Sequence, residues 1–170
     1  MRSAGNFRQT DHIEMDASVF CKPQLRQALY NLPILYRVRL QMSPLAFLMI
    51  GLGAAAGAWL RWLLSIWINP FFPTIPLGTL AANLLGGYLM GVALGAFQHW
   101  PALSPELRLL ITTGFLGGLT TFSTFSAETT TLLLRQQYAW CASAIVMHVA
   151  GSLLMTWLGL LSINHLLQRG

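Results

Sequence analysis

From residue 44 onward the sequence consists of long apolar stretches separated by short polar or proline-containing segments. A stretch of about 20 apolar residues is long enough to cross the hydrocarbon core of a bilayer as an α-helix. The pattern predicts four such spans, at about residues 44–68, 76–97, 106–134 and 139–167. The predicted fold is therefore an all-α membrane protein with four transmembrane helices and both ends on one side of the membrane.

The third span has a composition that is unusual for a continuous membrane helix. It contains the adjacent glycines Gly117 and Gly118, followed by the sequence TTFSTF. Two glycines weaken a helix, and serine and threonine hydroxyls can bond the carbonyl groups that a broken turn leaves free. In lipid, an interrupted backbone is tolerated only where it is buried in protein or lines a watery path. The pattern predicts that the third helix is broken, with its backbone unwound at the glycine pair, and that it binds or conducts an ion.

Small residues recur along the first two spans. Gly53 and Gly57 lie four apart in the first span, and Gly87, Gly91 and Gly95 recur every four residues in the second. Such spacing places small residues on one helix face, where another helix can approach closely. Both stripes are predicted to be helix-packing surfaces.

Composition supports a membrane protein and argues against nucleic-acid binding. The chain is 55% hydrophobic and only 9% charged, with a net charge of +5. Soluble domains have about a quarter charged residues. No basic stripe interleaved with aromatic residues occurs in the body of the sequence, so nucleic acid is not an expected partner. Cys21 and Cys141 form neither a metal-binding spacing nor a disulfide framework.

Residues 1–41 differ from the rest of the chain because they are polar and charged and contain no apolar run long enough to span. They are predicted to be disordered or weakly membrane-associated. The alternative is that translation starts at Met42 and that these residues are a mis-assigned start. The four-span domain is predicted to occupy residues 42–170.

The basic residues of the four-span domain give no preferred orientation in the membrane. Arg108 and Arg169 fall on the side of the termini, and Arg61 and Arg135 fall toward the other side. Because cytoplasmic loops normally carry the excess of Lys and Arg, an equal distribution predicts that the chain can insert both ways and pair antiparallel.

Neutral hydrogen-bond donors are distributed over three of the spans. A small anion entering a membrane must exchange its water for such donors, and neutral donors do so without holding it too tightly. Phenyl ring edges carry the positive part of the ring quadrupole and can assist. The candidate pathway residues are Thr79, Asn83, Phe122, Ser123, Thr124, Phe125, Ser152 and Thr156. The alternatives are that Asn83 joins helices and that the two phenylalanines are ordinary core.

Catalysis is not predicted. His148 and Ser152 lie four apart and could face each other as base and nucleophile, but the sequence supplies no third orienting group and no hydrolase or metal-ligand motif. His148 is interpreted as a packed polar residue. Arg61, inside the first span, either reaches toward the nearer interface or has a structural or anion-attracting role.

Three segments carry a family resemblance: GAAAGAWLR, GTLAANLLGGYLMG and GFLGGLTTFSTFSAE, in the first, second and third spans. They are similar to the signature segments of the Fluc/CrcB fluoride-channel family, and the likeness extends from Met42 to the C-terminus. The resemblance implies a dual-topology antiparallel homodimer with two fluoride pores. This dimer would be surrounded by membrane lipid and would lie in the cell inner membrane. The implied function is passive export of cytoplasmic fluoride, which reduces fluoride toxicity.

The resemblance also implies roles for individual residues. Phe122 and Phe125 would flank the ion, and Asn83 would be the pore amide with Thr79 one turn away. The hydroxyls of Ser123, Thr124, Ser152 and Thr156 would form a polar track. The backbone carbonyls of Gly117 and Thr120 would bind a structural sodium ion, Na+, at the dimer interface, and Arg61 and Glu128 would have supporting roles.

Two other functions remain open at the level of sequence. A small four-span proton-coupled transporter would need a carboxylate buried mid-span, for which Glu128 is the sole candidate, since Glu106 lies at the start of the third span. A non-conducting structural membrane subunit would use the glycine faces and polar residues only for packing.

Overall fold

The computed structural model describes residues 43–72 and 74–168. The predictions about residues 1–41, Met42 and Arg169 lie outside this part of the chain. The described residues form helices and turns without any strand. The helices are α1 (Pro44–Ile68), α2 (Leu77–His99), α3 (Pro105–Leu109), α4 (Gly117–Leu119), α5 (Phe122–Leu134) and α6 (Tyr138–Leu167), with a π-helical segment at Leu110–Leu116 and a 3₁₀ turn at Asn69–Phe71.

Four helical segments are long and apolar enough to cross a membrane. They are Pro44–Phe71, Leu77–His99, Pro105–Leu134 and Tyr138–Leu167. Many large apolar side chains on their outer faces are exposed, including Phe47 at 80% and Trp59 at 68%. Exposed apolar faces of this extent are suited to lipid. The predicted all-helical architecture with four candidate spans is confirmed.

Local sequence signals set the helix starts. Ser43 and Ser104 each precede a proline, and their hydroxyls accept the backbone N–H groups of Ala46 and Leu107, at 2.9 and 3.3 Å. Serine at the N-cap satisfies a free donor, and proline at the first helical position loses no hydrogen bond. These caps begin the first and third spans.

Glycine stripes bring the helices together as the spacing predicts. A Cβ atom on Gly91 would collide with the Thr156 carbonyl of α6, and one on Gly87 would lie 2.9 Å from the Ser152 carbonyl oxygen. On α1, a Cβ atom on Gly53 would collide with the Leu110 carbonyl, in the π-helical segment of the third span. The α2–α6 contact is the most extensive among the described elements.

The third span is divided into several helical pieces. After α4 the backbone is extended at Thr120 (φ −79°, ψ 153°) and Thr121 (φ −149°, ψ 117°), and α5 begins at Phe122. Gly117 and Gly118 are themselves helical, so the extended residues differ in position from the predicted unwinding at the glycine pair. Gly118 instead allows a close helix contact, because a Cβ there would collide with the Ala54 carbonyl of α1.

Candidate functional site

An open crevice of about 420 Å³ lies where the extended residues of the third span meet α2 and α6. Most of its lining is apolar, with amide, imidazole and hydroxyl groups at a few positions. Its lining residues are Asn83, Gly86, Gly87, Met90, Thr112, Leu116, Gly117, Thr120, Thr121, Phe122, Phe125, His148, Val149, Ser152 and Thr156. A concave, mainly apolar site with a few convergent polar groups is the usual form of a binding site.

The side-chain amide of Asn83 binds the extended backbone through a reciprocal pair of hydrogen bonds. Its Oδ1 accepts the N–H of Thr121 at 2.8 Å, and its Nδ2 donates to the carbonyl oxygen of Thr121 at 3.1 Å. Because a backbone N–H can only donate and a carbonyl can only accept, this pair fixes the orientation of the amide. Asn83 therefore supplies partners for backbone groups that lack helical ones.

His148 is the second partner of the same amide. Asn83 Nδ2 lies 3.0 Å from His148 Nδ1. The imidazole is 5% exposed, and its centroid lies 4.7 Å from that of Phe125 at an interplanar angle of 34°. The sequence predicts a packed polar residue at His148, and the structure places His148 in the crevice wall beside two predicted pathway residues.

The two phenylalanines have different surroundings. Their ring centroids are 5.5 Å apart at an interplanar angle of 61°, an edge-to-face arrangement. Phe125 is 7% exposed, whereas Phe122 is 78% exposed. Both line the crevice, so one ring belongs to the protein interior and the other lies on an open face of this chain.

Thr121 is the N-cap of α5, and the sequence did not identify it as a site residue. Its Oγ1 accepts the backbone N–H of Thr124 at 3.1 Å and bonds the hydroxyls of Thr124 and Ser123, at 3.0 and 3.2 Å. A threonine just before a helical segment is a recognisable N-cap signal. That signal was available in the sequence, but it was hidden among several neighbouring hydroxyl residues.

Not every predicted pathway residue lines the crevice. Asn83, Phe122, Phe125, Ser152 and Thr156 do so, and the Thr156 hydroxyl donates to the Ser152 carbonyl at 2.9 Å.

The other three predicted pathway residues, Thr79, Ser123 and Thr124, lie outside the crevice lining. Thr79 is 2% exposed, and its hydroxyl donates to Glu128 Oε1 at 2.6 Å. The two hydroxyls on α5 belong to the cap at its start.

Gly117 and Thr120, the predicted cation-binding positions, both line the crevice. In a continuous helix the Gly117 carbonyl would accept the N–H of Thr121, but that N–H donates to Asn83 instead. Arg61 donates from Nε to the neighbouring Gly118 carbonyl at 3.2 Å, which ties α1 to this region. Within the described residues, no cluster of three or more His, Cys, Asp or Glu side chains could hold a metal ion.

These features define a multi-pass α-helical membrane protein with a polar-and-aromatic crevice beside extended backbone at the depth of a span. The family described as "CrcB-like protein, Camphor Resistance (CrcB)" matches residues 48–160. The chain belongs to this family, and the family resemblance inferred from its three signature segments is confirmed.

Curated relatives match nearly their full length to this chain. A protein of Nitrosospira multiformis is 61% identical over 127 residues, which cover 75% of this chain and 99% of the relative. A protein of Aromatoleum aromaticum is 63% identical over 114 residues, covering 67% and 87%. A protein of Tolumonas auensis is 62% identical over 122 residues, covering 72% and 95%. All three relatives are named "Fluoride-specific ion channel FluC".

Proposed function

We propose that this protein is a passive, fluoride-selective ion channel that exports cytoplasmic fluoride and thereby reduces its toxicity. The observation that carries the proposal is the crevice at the extended residues, where an amide, an imidazole, hydroxyls and two phenyl rings converge among apolar walls. Relatives at about 60% identity that are named fluoride-specific channels support the choice of ion. The protein would act in the cell inner membrane.

The composition of the crevice suits a small anion that must lose part of its water. Full dehydration in a low-dielectric medium is prohibitive, so protein donors must replace the lost hydration. Neutral polar groups of the crevice, such as the Ser152 hydroxyl, would do this without trapping the ion. The edges of Phe122 and Phe125 would add a weak positive potential. A passive path of this kind needs no reaction, and an enzyme is not proposed.

The proposal includes an antiparallel, dual-topology homodimer surrounded by lipid. The exposed ring of Phe122 supports it, because a pathway wall that is 78% exposed in one chain would be completed by a second copy. Closure of the crevice would exclude bulk water and strengthen its electrostatic interactions.

The backbone carbonyl oxygens near the extended residues would also suit a sodium ion as ligands. The carbonyl groups of Gly117 and Thr120 lack their regular helical partners, since the Thr121 N–H donates to Asn83 and the Thr124 N–H donates to the Thr121 hydroxyl. Oxygen ligands are those that hard cations prefer. One sodium ion shared between two copies would supply a structural cross-link at the dimer interface.

The proton-coupled alternative is less well supported. Its essential carboxylate would be Glu128, which accepts a hydrogen bond from the buried Thr79 hydroxyl and does not line the crevice. Glu128 and Arg61 are proposed to have supporting structural roles instead.

The direct test is fluoride efflux from liposomes that contain the purified full-length chain. We expect fluoride flux that exceeds chloride flux and does not depend on a pH gradient. Asn83→Asp and Phe122→Ile are expected to lose flux while the protein remains folded on size-exclusion chromatography. Phe47→Ile is the matched control for the phenylalanine variant, because Phe47 is equally exposed but lies on α1 away from the crevice. Normal fluoride flux in both crevice variants would contradict the assigned pathway.

A further inference from the structure

We propose that the imidazole of His148 donates a hydrogen bond from Nε2 to the anion in the crevice, and that Asn83 positions this donor. The inference rests on the proposed function and names the group that binds the ion. It depends on the hydrogen-bond capacity of three side-chain nitrogens, which are Asn83 Nδ2 and the two ring nitrogens of His148.

The Asn83 amide has one orientation that satisfies its backbone partners. Its Oδ1 must face the Thr121 N–H and its Nδ2 must face the Thr121 carbonyl, at 2.8 and 3.1 Å, because neither backbone group can exchange roles. Nδ2 carries two hydrogens. One is used on the carbonyl, and the other is available for His148 Nδ1 at 3.0 Å.

The contact with Asn83 determines the tautomer of His148. An amide nitrogen can only donate, so His148 Nδ1 must accept. A neutral imidazole that accepts at one ring nitrogen carries its proton on the other. His148 is therefore neutral, with the N–H at Nε2.

The Nε2–H group of His148 is directed toward the crevice. Nε2 makes no hydrogen bond to any residue in the described part of the chain, although His148 is only 5% exposed. Yet no fully buried side-chain nitrogen or oxygen among the described residues lacks a partner. Nε2 must therefore touch open space, and the open space that His148 lines is the crevice.

The result reassigns the donor at this depth of the pathway. Both hydrogens of the Asn83 amide are already engaged, so Asn83 has none left for an ion. The Nε2 proton is unengaged, neutral and held in place, because the ring packs against Phe125 at a centroid distance of 4.7 Å. A fixed neutral donor needs little reorganisation free energy when an anion binds, and it holds the anion less tightly than a charged donor would.

Two substitutions separate the two ring nitrogens. His148→Asn places an amide near the position of Nδ1, so it keeps an acceptor for Asn83 but removes the donor at Nε2. His148→Gln reaches the position of Nε2 and can donate there, but it removes the Nδ1 acceptor. We expect fluoride flux in liposomes to fall about tenfold or more in His148→Asn, the size expected for a lost hydrogen bond to a charged group. His148→Gln is expected to stay within about fivefold of wild type, the size of a lost neutral hydrogen bond.

The opposite order of the two variants, an equal loss in both, or wild-type flux in His148→Asn would overturn the inference, since each indicates a structural role or none. If the wild-type chain carries no fluoride, the proposed function fails and the inference falls with it. The wild-type trace therefore distinguishes the two failures.

A second measurement does not depend on flux or on the folding of a variant. In wild-type protein with ¹⁵N-labelled histidine, we expect the His148 spectrum to show a protonated Nε2 and an unprotonated Nδ1. Addition of sodium fluoride is expected to shift the Nε2 resonance, whereas the same concentration of sodium chloride is not. A proton on Nδ1, or an Nε2 resonance that is insensitive to fluoride, would refute the assignment.

Discussion

Gly91→Ala is predicted to destabilise the contact between α2 and α6. The added Cβ would collide with the Thr156 carbonyl oxygen and lie 2.8 Å from the Leu160 amide nitrogen. Both obstacles are backbone atoms of a helix, which cannot rotate away, so the two helices must separate. Overpacking costs about 1–3 kcal/mol where side chains can adjust, and we take about 3 kcal/mol here. Alanine returns up to about 1 kcal/mol of helix propensity, leaving a net loss of about 2 kcal/mol.

Two glycines provide matched controls for the same substitution. A Cβ on Gly151, in the same helix pair, would meet only the Leu84 side chain, at 2.8 Å. A rotamer adjustment of about 0.5–1.5 kcal/mol would be offset by the propensity gain, so we expect Gly151→Ala to be nearly neutral. Gly51 has no atom within 4 Å of its Cβ position, so Gly51→Ala is expected to stabilise by up to about 1 kcal/mol.

The measurement is the free energy of unfolding of each variant in mixed detergent and dodecyl sulfate micelles, followed by tryptophan fluorescence. The expected order of stability is Gly51→Ala, then Gly151→Ala, then Gly91→Ala, with about 3 kcal/mol between the first and the last. Equal stability of all three variants would show that backbone proximity does not limit this helix pair.

Three further predictions address the site and its supports. Asn83→Ala leaves the N–H and carbonyl of Thr121 without their side-chain partner. We therefore expect the free energy of unfolding to fall by about 1–3 kcal/mol and hydrogen exchange at the Thr121 amide to become faster, and unchanged exchange would contradict this role. Arg108→Gln removes bonds from Nη2 to the carbonyls of Phe97, Trp100 and Pro101 at 3.5, 3.4 and 3.1 Å; faster hydrogen exchange in the loop at residues 100–104 is expected, and protection equal to wild type would refute it. Replacement of sodium by N-methylglucamine is expected to reduce the dimer fraction on size-exclusion chromatography, and a dimer fraction insensitive to sodium would argue against the proposed cation.

The number of candidate spans and the helix-packing stripe on α2 were predictable because both depend on periodic, local features of the sequence. A run of apolar residues and a glycine every fourth position report directly on helix length and on one helix face. The extended position was harder to predict. Glycine content suggested Gly117 and Gly118, but both are helical, and Gly118 serves close contact with α1. The extended residues are two threonines, which are not intrinsically helix-breaking.

What local sequence could not reveal is which distant side chain would compensate the extended backbone. Asn83 is separated by 38 residues from Thr121 and by 65 from His148. Only the packing of α2 against the third span and α6 brings these three residues together. The role of His148 was therefore undetermined from the sequence, because its environment consists of residues from other spans.

The side chain of Asn83 contacts both the extended backbone and the imidazole of His148 in the crevice. A helix interrupted by glycine alone would have several accessible backbone conformations, since glycine restricts φ and ψ least. Here the extended residues are threonines, and each free backbone group of Thr121 has a designated partner on α2. The same amide orients His148 on α6, so the backbone conformation and the direction of the imidazole are set by one side chain. A displacement of α2 relative to the third span would therefore disturb the His148 donor and the extended backbone together. The shape of the crevice thus depends on the glycine-mediated packing that holds α2 against α6.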